Sequence, residues 1–127
     1  MIIELRTIPH KQQRYDTLGD WYDDEHGILQ IRASALGNPF YEALILVHEL
    51  IEAIVCRRQG ISAEMVDNFD MNFPGDGEPG DAGDAPYFHA HQFASHVEKA
   101  LAQTLGIEWA EYEMMLDQFL LKREEER

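Results

Sequence analysis

His48-Glu49-Leu50-Ile51-Glu52 is the string in this chain whose residue types and spacing can do chemistry. On an α-helix, positions i and i+4 stand one above the other, so His48 and Glu52 can address one ion. Glu49, about 100° round the helix from His48, flanks that ion without having to ligate it. This is the geometry of H-E-x-x-H metal helices, in which the inner glutamate acts as general base. Apolar runs at 44–47 and 53–56 enclose the pentad, so the helix is apolar nearly all round. Carboxylates buried in such a helix need a partner such as a metal or an arginine.

A metal held by His48 and Glu52 needs at least a third ligand. His89, His91 and His96 lie beyond an acidic loop, at the start of a later helix. If residues 89–91 are still extended, the imidazoles of His89 and His91 point the same way. If they are helical, His89 lies nearest a core face marked by Phe93 and Val97, and His91 turns away. His96, one turn further in, reads as a surface or core histidine. The candidates are therefore His91 and His89, which the spacing does not separate. Either gives two histidines and one glutamate, the inventory of known zinc hydrolase sites, for zinc or another divalent transition metal. Because the ligands must be neutral imidazoles and an ionised carboxylate, affinity should fall on acidification.

These residues need elements to position them. Residues 1–8 alternate enough to form a first strand ended by Pro9. Residues 10–19 read as loop or short strand. Residues 21–23 and 28–32 read as a β-hairpin around Asp24-Glu25-His26-Gly27, with Gly27 available for positive φ. Asn38-Pro39 starts the central helix, whose apolar stripe runs through Leu44, Val47, Ile51 and Ile54, with Arg57 and Arg58 at its negative end and Gly60 as its stop. Residues 62–66 add one short turn or helix. Residues 74–86 hold no aliphatic side chain larger than alanine and form a loop. A second helix runs from near Pro86 to Gly106, with Phe93, Val97, Leu101 and Leu105 spaced in fours. A third spans 108–122, with Trp109, Tyr112, Leu116, Phe119 and Leu120 on one face, and the tail from Glu124 to Arg127 should fray. The expected architecture is a single α+β domain over 1–127: a small N-terminal antiparallel sheet or hairpin packed on the metal-motif helix, two further C-terminal helices, and an acidic Gly/Pro/Asp loop at about 67–86.

Composition narrows the function classes. The 127 residues carry 24 Asp and Glu against 10 Lys and Arg, a net charge of −14. That balance excludes conventional nucleic-acid binding and polybasic membrane association, both of which depend on Lys and Arg. A single cysteine, Cys56, forms no internal disulfide and reads as a buried thiol. With no apolar run of membrane-spanning length and no signal peptide visible, the expected location is the cytoplasm. Between Arg58 and Lys99 there is no Lys or Arg, while the same stretch holds eight carboxylates and three of the six histidines. A metal ion would supply the positive centre missing there. Asp76, Glu78, Asp81 and Asp84 do not meet calcium-loop spacing and read as a solvated loop. Trp21, Trp109 and the Tyr87-Phe88 pair read as core anchors.

The order of a hairpin from Gly19 to Arg32, then the helix Leu46-Val-His-Glu-Leu-Ile-Glu-Ala, resembles the minimal zincin-type metallopeptidases, including their phage- and repressor-associated group. The stretch His89-Ala-His-Gln-Phe-Ala is similar to the E-A-N-x-F-A that supplies that group's third ligand. The resemblance covers roughly 19–60 and 86–105. It implies His48 as a ligand, Glu49 as catalytic base on a metal-bound water, and His89 or His91 in place of a glutamate. Glu52 stands where the motif has its second histidine, so the two exchanges keep a set of two histidines and one carboxylate. H-E-L-I-E followed by an E-P-G-D loop is also similar to small phage-encoded proteins, which would make the host cytoplasm its location. The function implied is a zinc-dependent, peptidase-like hydrolase acting on a peptide or protein substrate, with the strand at 28–32 pairing that substrate by edge addition. Two readings stand beside it. One is a non-enzymatic acidic protein, such as a DNA mimic or an inhibitor of a host protein; the other is a metal-stabilised binding module.

Overall fold

The computed structural model describes residues 1–75 and 77–125. In chain order the elements are β1 (Ile3–Ile8), β2 (Gly19–Asp23), β3 (Leu29–Ser34), α1 (Pro39–Arg58), α2 (Ala63–Met71), α3 (Phe88–Thr104) and α4 (Trp109–Glu125), with single 3-10 turns at His10–Gln12 and Pro79–Asp81. The fold is α+β, one three-stranded sheet with four helices among the described residues. No helix is long and apolar enough to cross a membrane.

β2 and β3 form the expected antiparallel hairpin. Gly27 takes φ +75°, and Asp24 Oδ1 accepts from the backbone N–H groups of His26 and Ile28, closing the turn. The sheet as a whole is mixed rather than antiparallel. β1 runs parallel to β3, from Ile3 opposite Leu29 to Ile8 opposite Ser34, in the order β1-β3-β2. Residues 9–18 therefore cross the outer face of β3 to reach β2. They are held there by Gln13 Nε2 donating to Ser34 Oγ (3.2 Å) and the Leu18 carbonyl (3.1 Å), and by Arg14 on Asp20. This makes β3 the central strand, hydrogen-bonded on both sides. The expectation that residues 28–32 offer a free edge to a peptide is overturned.

Leu29, Ile31 and Ala33 are wholly buried on the helix-facing side of β3, joined by Trp21 from β2. α1 lies across that side. Asn38 caps it, its side-chain oxygen accepting from the N–H groups of Phe40 (3.0 Å) and Tyr41 (3.2 Å), and Gly60 ends it at φ +75°. The short segment after it is a full helix, α2, capped by Ser62. On α4, Tyr112 is wholly buried and Trp109, Leu116 and Phe119 are partly buried, as the pattern predicts. α4 continues through Glu125 instead of fraying from Glu124; Glu126 and Arg127 lie outside the described residues.

α3 departs from expectation. Phe93 and Leu105 are 52% and 42% exposed, while Val97 is half-buried and Leu101 packs against the core, so the stripe of large side chains faces the core only in part. The buried face is Ala90, His91, Ala94, Glu98 and Ala102. Small residues let α3 pack closely on α1, and the two polar ones find partners there. Size-based pattern reading favours large apolar residues and so selects a flank of the buried face instead of its centre.

Candidate metal centre

α1 presents His48, Glu49 and Glu52 toward α3 and the sheet. One helical turn separates His48 from Glu52, and Nε2 of His48 stands 3.3 Å from Oε2 of Glu52. His91 is the second residue of α3's inward face, and its Nδ1 stands 3.0 Å from the same Glu52 oxygen. These ligand atoms of His48, Glu52 and His91 all lie within 4.8 Å of one another, and no other such group occurs among the described residues. A tetrahedral zinc ion with bonds near 2.0–2.1 Å places its ligand atoms about 3.3–3.4 Å apart, so the cluster is close to the size such an ion needs.

The structure separates the three downstream histidines. Residues 89–91 are helical, and it is His91 that turns inward; His89 is exposed and rests against Phe88, and His96 is exposed too. The expectation that a helical start would put His89 toward the core and His91 away is reversed, for the same reason that Phe93 is outside. Glu49 lies beside the cluster with Oε2 3.9 Å from His48 Nε2. It fits because residue 19 is glycine: a Cβ there would meet Glu49 Cγ at 2.7 Å and Ile45 Cγ2 at 2.9 Å.

Behind each of the three residues stands a second polar partner. Glu98 Oε1 lies 2.8 Å from His48 Nδ1, and its other oxygen accepts from the Tyr112 hydroxyl at 2.7 Å. Trp21 Nε1–H donates to the second oxygen of Glu52 at 3.0 Å. Asp81 Oδ1 lies 3.3 Å from His91 Nε2. Gly80 lets that loop close over the ring, since a Cβ on it would fall 2.6 Å from His91 Cγ. Sequence reasoning found none of Trp21, Glu98, Tyr112, Gly80 and Asp81 as site residues. For Glu98 a signal existed, its seven-residue spacing from His91 on one helix face. Asp81, by its place in a Gly- and Pro-rich stretch, reads in the sequence as a solvated loop carboxylate. Asp76, another of those loop carboxylates, lies outside the described residues.

The electrostatics follow from this crowding. Burial opposes charge on His48, but its bonds to Glu52 and Glu98 and the nearby Glu49 outweigh that and raise it to about 11. Burial would push Glu52 up, yet His48 and His91 hold it down to about 2. His91 is raised despite its burial, chiefly by Glu52. Glu49 has no such donor. Burial, and then the charge of Glu52, keep it well above the ordinary carboxylate range. Cys56 is wholly buried one turn from Glu52, and burial pushes its thiol up to about 12, as expected of an unreactive core residue.

Compared with known proteins, the chain matches no protein-family profile, no curated protein and no solved structure. The cluster's own geometry therefore carries its interpretation: a group of two imidazoles and one carboxylate that could hold a metal ion.

Proposed function

We propose that the protein binds a divalent transition ion, zinc by the chemistry of its donors, through His48 Nε2, Glu52 Oε2 and His91 Nδ1, and that it is a peptidase-like hydrolase of zincin type with Glu49 as general base. The observation that carries the metal reading is the backing of all three donors. The atoms of His48 and Glu52 that face away from the common point are hydrogen-bonded to Glu98 and Trp21, and that of His91 lies 3.3 Å from the exposed carboxylate of Asp81. Metal-ligating histidines are oriented in this way, by a carboxylate on the far ring nitrogen that fixes the tautomer. A salt-bridge cluster needs no such convergence on one point.

A bound ion of this kind supplies a Lewis acid and makes water acidic enough to lose a proton near neutral pH. The chain's own residues supply the rest. Glu49, with Oε2 3.9 Å from His48 Nε2, would flank an ion held there, and its raised basicity would suit a general base beside it. Gly19 makes room for that carboxylate, since a Cβ there would collide with Glu49 Cγ and Cδ. Glu98, hydrogen-bonded to His48 Nδ1, holds that imidazole in the tautomer that leaves Nε2 free to ligate, and Asp81 sets a negative charge beside His91 Nε2 that favours the corresponding tautomer there.

The test is elemental analysis of protein purified without a polyhistidine tag, with thermal melts before and after chelator. Stoichiometric zinc, with a fall in melting temperature on its removal, supports the site; no bound metal and no effect of chelator removes it. Two histidines and a carboxylate also serve non-haem iron, and the same analysis tells the two ions apart. For catalysis, Glu49→Gln should keep the ion and abolish cleavage of a mixed peptide library. Unchanged cleavage removes the base role. Metal without turnover in the parent protein favours the metal-stabilised binding module.

A further inference from the structure

We infer a second binding site, for a phosphate group, on the outer face of the sheet. Strand alternation sends Gly19 and Trp21 of β2 toward the metal centre and Asp20 and Tyr22 to the opposite face. There a cavity of about 220 Å³ is bounded by Asp20 and Tyr22, by Arg6 of β1 and Arg32 of β3, and by Gln13 and Arg14 of the crossing segment. Three of the chain's ten cationic side chains thus meet at one cavity, in a protein of net charge −14.

The arrangement of those cations is costly without an anion. Arg6 and Arg32 are register partners on adjacent strands, and like charges set directly opposite repel. Arg6 is paired with Glu4 at 2.5 Å. The carboxylate opposite Arg32 on its other side is Asp20, but both its oxygens are taken by Arg14, from Nε at 2.7 Å and Nη2 at 2.9 Å. Arg32 is left without an acceptor: its Nη1 is buried and unpartnered. Glu4 lies near enough to feel the charge of Arg32, but its oxygens are bonded to Arg6 and Gln30, and no carboxylate among the described residues accepts a hydrogen bond from this guanidinium. Such a planar fork matches the oxygens of a phosphate or carboxylate.

The same cavity holds an orphan of the opposite kind. Gln13 Oε1 is buried with no donor. Its orientation is fixed, because the amide nitrogen donates to the Leu18 carbonyl, which can only accept. An anion that also carries a proton satisfies both orphans, one through an oxygen and the other through a hydroxyl. Hydrogen phosphate, and a phosphate monoester in its singly protonated form, have both. Sulfate and carboxylates, ionised at neutral pH, have only the first. The site is therefore one for a phosphate group in preference to sulfate.

The experiment is calorimetric titration at fixed ionic strength with inorganic phosphate, methyl phosphate, sulfate and acetate, alongside the Arg32 Nε–H resonance in ¹⁵N-labelled protein. Saturable phosphate binding that moves that resonance is expected, with sulfate and acetate weaker by roughly tenfold or more. Methyl phosphate binding as well as phosphate identifies a monoester as the ligand; its failure identifies free phosphate. Arg32→Gln should weaken binding by at least about tenfold, and Arg6→Gln, on the exposed edge strand, should weaken it less. The exposed Arg58→Gln should bind as the parent does. No saturable binding on the order of 10 mM phosphate, or undiminished binding by Arg32→Gln, overturns the site. Equal affinity for sulfate overturns its selectivity.

Discussion

Gly80→Ala puts the metal geometry under the most direct strain. Gly80 is buried and its φ is not positive, so an alanine there meets no backbone penalty; all of its effect comes from the added methyl. That methyl would lie 2.6 Å from His91 Cγ, 2.7 Å from Nδ1 and 2.9 Å from Cδ2. To reach an ordinary contact the imidazole must retreat by roughly 0.8 Å, or the 3-10 turn at Pro79–Asp81 must lift away with Asp81. Metal sites tolerate about 0.2 Å in ligand distance, so the retreat is several times what the site can absorb. Either movement removes the third donor or its orienting carboxylate, which should weaken zinc binding by about 10- to 100-fold. The metal-free protein should also lose about 1–3 kcal/mol from overpacking. Gly83→Ala is the matched control, because nothing lies within 4 Å of its added methyl and its φ is also unexceptional. Competition against a chromophoric zinc chelator gives the affinities, and urea melts of the metal-free proteins give the stabilities. If Gly80→Ala binds zinc within twofold of the parent, His91 is not a ligand in the position described.

Further outcomes follow from the same contacts. Glu98→Gln and Asp81→Asn, each replacing the carboxylate behind one imidazole by a neutral amide, should each cost about 10- to 100-fold in zinc affinity by the same competition. Trp21→Phe keeps the ring's burial but leaves a Glu52 oxygen without its donor, so thermal or urea melts should show a loss of about 1–3 kcal/mol. In the metal-free protein, Glu52 is held down to about 2 and His48 raised to about 11. The Glu52 contribution is complete above its unfolded value near 4.5 and is lost as pH falls toward 2, while the His48 contribution is complete below 6.5 and is lost as pH rises toward 11. Stability measured against pH should therefore decline on both sides of a window from about 4.5 to 6.5. With saturating zinc the alkaline decline from His48 should vanish, because neither the folded nor the unfolded state then holds that proton. Asn38→Ala should cost about 1 kcal/mol through loss of the α1 cap.

Local signals in the sequence located the strands of the hairpin, both ends of α1 and the His48–Glu52 pair. Each of these depends on residues near one another in sequence: Asn38 before Pro39, Gly60 after Arg58, a histidine and a glutamate four apart. The parallel pairing of β1 was not legible, because no local residue distinguishes a parallel partner from an antiparallel one. The face of α3 was misread because burial there is decided by α1, whose polar residues attract His91 and Glu98 and whose closeness selects Ala90, Ala94 and Ala102. Trp21, Tyr112 and Asp81 enter the site only through tertiary folding, from three segments far apart in the chain. Gly19 and Gly80 are the subtler case, since each contributes by what it lacks.

Glu52 and His91 are 39 positions apart, and His48 and Glu98 are 50 apart. The bonds that assemble the centre therefore also fasten the two ends of a long segment rich in Gly, Pro and Asp. Cys56, Val66 and Tyr87 anchor that segment in the core, but its stretch from 74 to 86 holds no aliphatic side chain larger than alanine. In polymer terms, an ion shared by α1 and α3 is a reversible cross-link, and closing a loop of that length is worth about 4 kcal/mol of chain entropy. Against the 5–15 kcal/mol of a typical domain, this is a large share. Whatever the ion does chemically, it would also be a clasp, and its departure would release the acidic segment first.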